Sequence, residues 1–169
     1  MPGPSMDKDK DKRVALVTGA GSPEGIGFAT ARLLGEQGFD IAITSTTRRI
    51  EDRALELSAY GIEALSLVTD LMKLRNAEML VERTVERYGR LDVLINNAGM
   101  AQVGRPEVVK RLAELDEEEW DYHISTSLKT AFNMAKTVLP HMLRGRIRAD
   151  SQRGIRYRTN RQQSRNDGV

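Results

Sequence analysis

The sequence predicts an α/β domain built on a doubly wound parallel sheet, and three features predict it. Short apolar runs alternate with amphipathic helical stretches from Arg13 to Pro140, the order that produces parallel strands joined by crossover helices. The first strand passes into its helix through a glycine-punctuated turn, Thr18-Gly19-Ala20-Gly21-Ser22-Pro23-Glu24-Gly25-Ile26-Gly27. At 169 residues the chain is long enough for one domain and too short for two of ordinary size.

Four strands follow from the apolar runs Val14 to Val17, Ile41 to Ser45, Leu65 to Val68 and Val93 to Ile95, each of the kind buried on both faces. Ile26, Ala29 and Leu33 share a helical face that ends near Gly38, and Leu74, Ala77, Val81, Val85 and Tyr88 form a longer stripe stopped by Gly89. Asp116 is placed as an N-cap with Glu119 as its capping-box partner, so the acidic cluster there reads as a helix start, not as a metal or catalytic site. Trp120, Ile124, Ala131, Ala135 and Val138 then run along one face to Pro140. Beyond Pro140 neither period survives, and the methionines read as core filler.

Composition removes several function classes. There is no cysteine, so a disulfide scaffold and a cysteine metal site are excluded, and a reducing, cytoplasmic setting is expected. His123 and His141 have no third ligand at a suggestive spacing. No apolar run is long enough to span a bilayer, and residues 1–12 read as a solvated arm without a signal-peptide core. The net charge of +2 hides an asymmetry: Arg144 to Val169 holds eight arginines and two aspartates, a balance of +6, which leaves −4 for the preceding part.

The glycine turn is where a pyrophosphate would sit. Glycine lets the backbone approach a ligand, and the free N–H groups at a helix start hold negative charge without a basic side chain. With Thr69-Asp70-Leu71 after the third strand and Asn96-Asn97-Ala98-Gly99 closing the fourth, the sequence resembles the short-chain dehydrogenase/reductase family over about residues 13–140. Within it the nearest likeness is the bacterial 3-oxoacyl-carrier-protein reductase type. The resemblance implies a Rossmann-type sheet and a nicotinamide dinucleotide cofactor. It puts Gly19, Ser22, Gly25, Ile26 and Gly27 at the pyrophosphate and adjoining ribose, Asp70 and Leu71 at the adenine, and Asn97, Ala98 and Gly99 on the path to the nicotinamide. Asn96-Asn97 also reads as a polar strand end that ties neighbouring strands. The turn is two residues longer than the family's Thr-Gly-x-x-x-Gly-x-Gly, so Ser22-Pro23-Glu24 must bulge, and Glu24 stands where NADP-preferring members often carry a basic residue.

Cofactor choice is expected to turn on the end of the second strand, where an acid would bond the ribose hydroxyls of NAD and repel the extra phosphate of NADP. This chain has Thr44-Ser45-Thr46-Thr47-Arg48-Arg49 instead. Thr46 and Arg48, with Arg49, therefore point to NADP, with NAD as the alternative; the bland reading of the arginines is an exposed helix start.

The resemblance further implies reduction of a small carbonyl or acyl substrate, with a tyrosine as proton donor, a lysine four residues on lowering its pKa and a serine orienting the carbonyl, in enzymes that are usually homo-oligomers. The chain shows none of the three in context. Tyr157 with Arg161 four residues later lacks the strand and serine it needs, and Ser127 stands where the family's helix asparagine would be. Residues 141–169 read as an arginine-rich tail and, from Arg146, as an out-of-frame translation: a shift of one nucleotide, with synonymous codon choice, turns it into G-Y-G-R-I-V-N-V-A-S, the form of the family's fifth strand. The expectation is an oxidoreductase fold cut off before its catalytic centre, and so inactive. The alternatives are a non-catalytic dinucleotide-binding protein, or a binding protein whose basic tail contacts nucleic acid, a reading weakened by the lack of interleaved aromatics.

Overall fold

A computed structural model describes residues 12–99 and 110–152 of the chain. The expected arm up to residue 11, and Tyr157, Arg161 and the rest of the tail from residue 153, lie outside the described residues. Four parallel strands, β1 (Val14–Thr18), β2 (Asp40–Ser45), β3 (Ala64–Val68) and β4 (Val93–Ile95), form one sheet in the order β3-β2-β1-β4. The order reverses direction at β1, the kind of switch point beside which such sheets take ligands. Helices α1 (Ile26–Glu36), α2 (Arg49–Ala59), α3 (Leu74–Tyr88), α4 (Glu117–Ile124) and α5 (Thr130–Gln152) supply the two outer layers.

The period-2 alternation of β1 divides the core. Ala15 and Val17 join Phe28, Ala31, Ile50 and Leu57 in the layer with α1 and α2. Val14 and Leu16 face the other way, onto Ala77, Leu80 and Val81 of α3 and Met134 and Val138 of α5. Every residue of β1 is buried, as expected for a central parallel strand. The outer strands β3 and β4 differ from the expectation: most of their residues are only partly covered, because each has a strand neighbour on one side alone.

Two helical faces were placed wrongly by the apolar pattern. Ile26 and Leu33 are 78% and 55% exposed, and α1 buries Gly27, Phe28 and Ala31 instead. The helix carries apolar residues on two sides and the sheet covers only one. In the C-terminal helices Trp120, Ile124 and Ala135 face solvent, and the buried side is Thr126, Thr130, Asn133, Met134 and Val138. That face is half polar, so a search for apolar periodicity passes over it, and a π-helical turn at Ser125–Lys129 shifts the phase between α4 and α5. The stripe of α3 holds, with Gly89 closing the helix in the left-handed conformation at φ +76°. The capping box of Asp116 and Glu119 is also present. Helix α5 does not stop at Pro140 but carries it inside and continues to Gln152. The methionines divide, Met134 being fully buried and Met79 40% exposed. Among the described residues no helix is long and apolar enough to cross a membrane.

Candidate functional site

The carboxyl end of β1 is locked to that of β4 by one side chain. Asn97 Nδ2 donates to the carbonyls of Thr18 and Gly19, both at 3.0 Å. Thr18 Oγ1 in turn donates to Ile95 O at 3.1 Å and accepts from the N–H groups of Asn97 and Ala98. The chain turns out of β1 at Gly19 with φ +71°, and a Cβ there would stand 2.8 Å from Ala98 Cα. One at Gly27 would stand 2.5 Å from Asn97 Nδ2. Both glycines are thus required by contact between the turn and β4, before any ligand is considered. Asn97 ties neighbouring strand ends, one of its two expected roles.

Beside this lock lies a cleft of about 250 Å³. Its walls come from the glycine turn, the end of β2, the segment after β3, the end of β4 and the π-helical turn. Of the residues expected to hold a cofactor, Gly19, Ser22, Thr46, Asp70, Leu71, Ala98 and Gly99 line it. Gly25, Ile26, Gly27, Arg48 and Asn97 do not line it, and Arg49 stands at the wall in place of Arg48. Arg49 Nε reaches Thr47 Oγ1 at 3.3 Å. Glu24 is exposed and lies outside the lining. Ser127 is outside it too, although a Cβ on Gly99 would be 3.4 Å from Ser127 Oγ.

The cleft is also lined by Gly21, Thr44, Ser45, Thr47 and Thr69, which lie within the motifs read from the sequence without a contact of their own assigned there, and by Thr126 and Thr130, which sequence reasoning missed. The two helix threonines had no local signal, since only folding brings α4 and α5 over the sheet edge. Thr69 and Ser45 could have been suspected as polar residues closing apolar strands. The segment after β3 is held rigidly: Thr69 N donates to Ser45 O, Met72 N to Asp70 Oδ1 at 3.0 Å, and Asn76 Nδ2 to Asp70 O at 2.8 Å. From α5, the buried Asn133 donates through Nδ2 to Leu71 O at 2.9 Å and Met72 O at 3.2 Å.

The donor set suits a dinucleotide. Glycines and a serine hydroxyl line the turn, threonine and serine hydroxyls and a guanidinium the end of β2, and an aliphatic and a carboxylate side chain the segment after β3. The ionisable residues lining the cleft among the described residues are Arg49 and Asp70, with no tyrosine or lysine. No group of histidine and acidic side chains among the described residues could hold a metal.

The pattern of the short chain dehydrogenase family matches residues 13–152. The chain is 33% identical over 138 residues to the oxidoreductase UcpA of Salmonella typhimurium, covering 80% of this chain and 49% of that protein. It is 34% identical over 134 residues to the 3-oxoacyl-[acyl-carrier-protein] reductase FabG of Staphylococcus epidermidis, covering 78% and 52%. The crystal structure of an actinorhodin polyketide ketoreductase with NADPH superposes with a TM-score of 0.69 at 36% identity, covering 86% of this chain and 51% of that one. The chain therefore spans about half the length of the curated relatives it matches.

Proposed function

The chain belongs to the short-chain dehydrogenase family, and on that premise we propose that residues 13–140 are the cofactor-binding half of an NADP-dependent oxidoreductase. The observation that carries the reading is the composition of the cleft: a glycine turn at one end, Asp70 and Leu71 at the other, and Arg49 with no acid at the end of β2. Gly19 and Ser22 would take the pyrophosphate, Asp70 and Leu71 the adenine, and Ala98 and Gly99 the approach to the nicotinamide. Arg49 would meet the 2′-phosphate. When bound, NADP supplies the hydride that reduces a carbonyl. NAD is the weaker ligand in this reading.

What the chain's own residues do is bind and orient. With no tyrosine or lysine lining the cleft among the described residues, nothing there is placed to protonate an alkoxide, and we propose that the chain binds the dinucleotide without turning it over. The hidden strand G-Y-G-R-I-V-N-V-A-S supports a frame change near Met142 to Arg146, with the complete catalytic centre in the other frame. In that form the partners would be a small carbonyl or acyl substrate and further copies of the chain, in the cytoplasm. Ser127, beside Gly99, would replace the family's helix asparagine. Titration calorimetry of NADP and NAD at fixed salt tests the binding reading: tighter NADP binding is expected, and no binding of either would overturn it.

A further inference from the structure

Two walls of the cleft come from parts of the chain far apart in sequence, the segment after β3, with Asp70 and Leu71, and the π-helical turn, with Thr126 and Thr130. One side chain joins them. Asn133, 3% exposed, stands one turn beyond Thr130 on α5 and donates through Nδ2 to Leu71 O at 2.9 Å and Met72 O at 3.2 Å. The carbonyls on either side of that pair are taken locally: Asp70 O accepts from Lys73 N and Asn76 Nδ2, and Lys73 O from Asn76 N and Ala77 N. Those of Leu71 and Met72 are taken from across the core.

Packing alone does not call for an amide at position 133. Met134 and Val138 of α5 belong to the apolar cluster that also holds Leu71, Ala77 and Leu80, and a leucine beside them would fill a similar volume. A buried amide is unfavourable unless its hydrogen bonds are made, whereas a satisfied buried network fixes one arrangement where apolar contacts tolerate several. What Asn133 adds is therefore position. The π-helical turn breaks the α-helical phase just before α5, and Asn133 lies in the first turn after the break. Thr126 and Thr130 commit their hydroxyl hydrogens to carbonyls of their own helical segment, so the placement of that wall is its main contribution to the cleft.

We propose that Asn133 is a positioning residue of the cleft: its amide holds Asp70 and Leu71 at a fixed distance from the π-helical turn, and so sets the width that admits the dinucleotide. The inference rests on the cofactor reading above and adds to it a residue outside the lining. The full chain is compared with Asn133→Asp, Asn133→Leu and Tyr88→Phe by titration with NADP, at a temperature where circular dichroism shows each protein folded. Under that condition a loss of global stability leaves the dissociation constant unchanged. Tyr88, which accepts from Leu65 N and donates to Ile41 O near the amino ends of β3 and β2 and does not line the cleft, supplies the destabilised control.

Asn133→Asp sets a carboxylate against two carbonyl oxygens, and both Asn133 variants should lose NADP affinity by about five- to tenfold, on the scale of one hydrogen bond. Tyr88→Phe should bind as the wild type does. From about pH 7.5 to about pH 5 the aspartate variant should regain affinity relative to the wild type, because burial beside carbonyls favours the protonated acid, which again donates to Leu71 O. The leucine variant, with nothing to titrate, should not. Equal NADP affinity in the wild type and both Asn133 variants overturns this inference alone, as does an equal loss in Tyr88→Phe or an equal recovery of the leucine variant in acid. If neither Asn133 variant folds, hydrogen exchange of the wild type decides. NADP should then raise the protection of the Asn133 side-chain amide more than that of the Leu65 N–H, by linkage, and an equal rise overturns the inference. Failure of the wild type to bind NADP overturns it together with the cofactor reading.

Discussion

Replacing Asn97 with alanine removes the two hydrogen bonds that Nδ2 donates to Thr18 O and Gly19 O, each 3.0 Å long. A typical intramolecular hydrogen bond contributes about 0.5–1.5 kcal/mol net, which puts the pair at about 1–3 kcal/mol. Asn97 is only half-buried, so water can reach the released carbonyls, and about 1–2 kcal/mol is the expected loss. For a chain of this size that lowers the melting temperature by about 2–8 °C. Asn97→Asp is the sharper variant. It keeps the shape but turns a donor into a carboxylate oxygen facing two carbonyl oxygens, so it should be worse than alanine by a further ~1 kcal/mol or more. Urea denaturation monitored by circular dichroism measures both. NADP affinity should fall alongside, because the turn at Gly19 loses its tether to β4. Alanine and aspartate variants of equal stability, or both within 0.5 kcal/mol of wild type as for ordinary surface changes, would refute the lock between β1 and β4.

Arg49→Ala should weaken NADP by about fivefold, the upper range for an exposed ion pair, and leave NAD unchanged in calorimetry; Arg48→Ala should do less, since Arg48 does not line the cleft. Tyr88 stands between β2 and β3, accepting from Leu65 N at 3.1 Å and donating to Ile41 O at 3.0 Å; Tyr88→Phe strands both groups and should lower stability by about 1–3 kcal/mol in denaturant titrations. Burial raises the Tyr88 pKa above its ordinary 10.0, so the folded state holds this proton more tightly than the unfolded one. Its contribution is complete below pH 10 and is lost as pH rises through the folded value, a loss that pH-dependent melting should find in the wild type and not in the phenylalanine variant. The chain as written should oxidise no NADPH with ketone substrates in an absorbance assay. DNA sequencing downstream of the codons for Met142 to Arg146 should find, one base over, an open frame running into a Tyr-x-x-x-Lys segment.

Local sequence determined the parts of this protein that depend on neighbours along the chain. The four strands, the arrest of α3 at Gly89, the capping box of Asp116 and the strand-to-helix turn with Gly19 were legible because each follows from backbone geometry and hydrophobic period within a few residues. The parallel sheet followed from their alternation. Tertiary structure alone decided which face of a helix is buried. Ile26 and Leu33 lie outward because the sheet covers only the Phe28 and Ala31 side of α1, and amphipathicity cannot name the occupied side when both are apolar. It also decided the far wall of the cleft. Thr126, Thr130 and Asn133 are 56 or more residues from Asp70 in sequence, and they reach the segment after β3 only when α5 packs on α3. The threonine hydroxyls bond carbonyls one turn back on their own helical segment, whereas the Asn133 amide is intelligible only in the fold, which brings it the carbonyls of Leu71 and Met72.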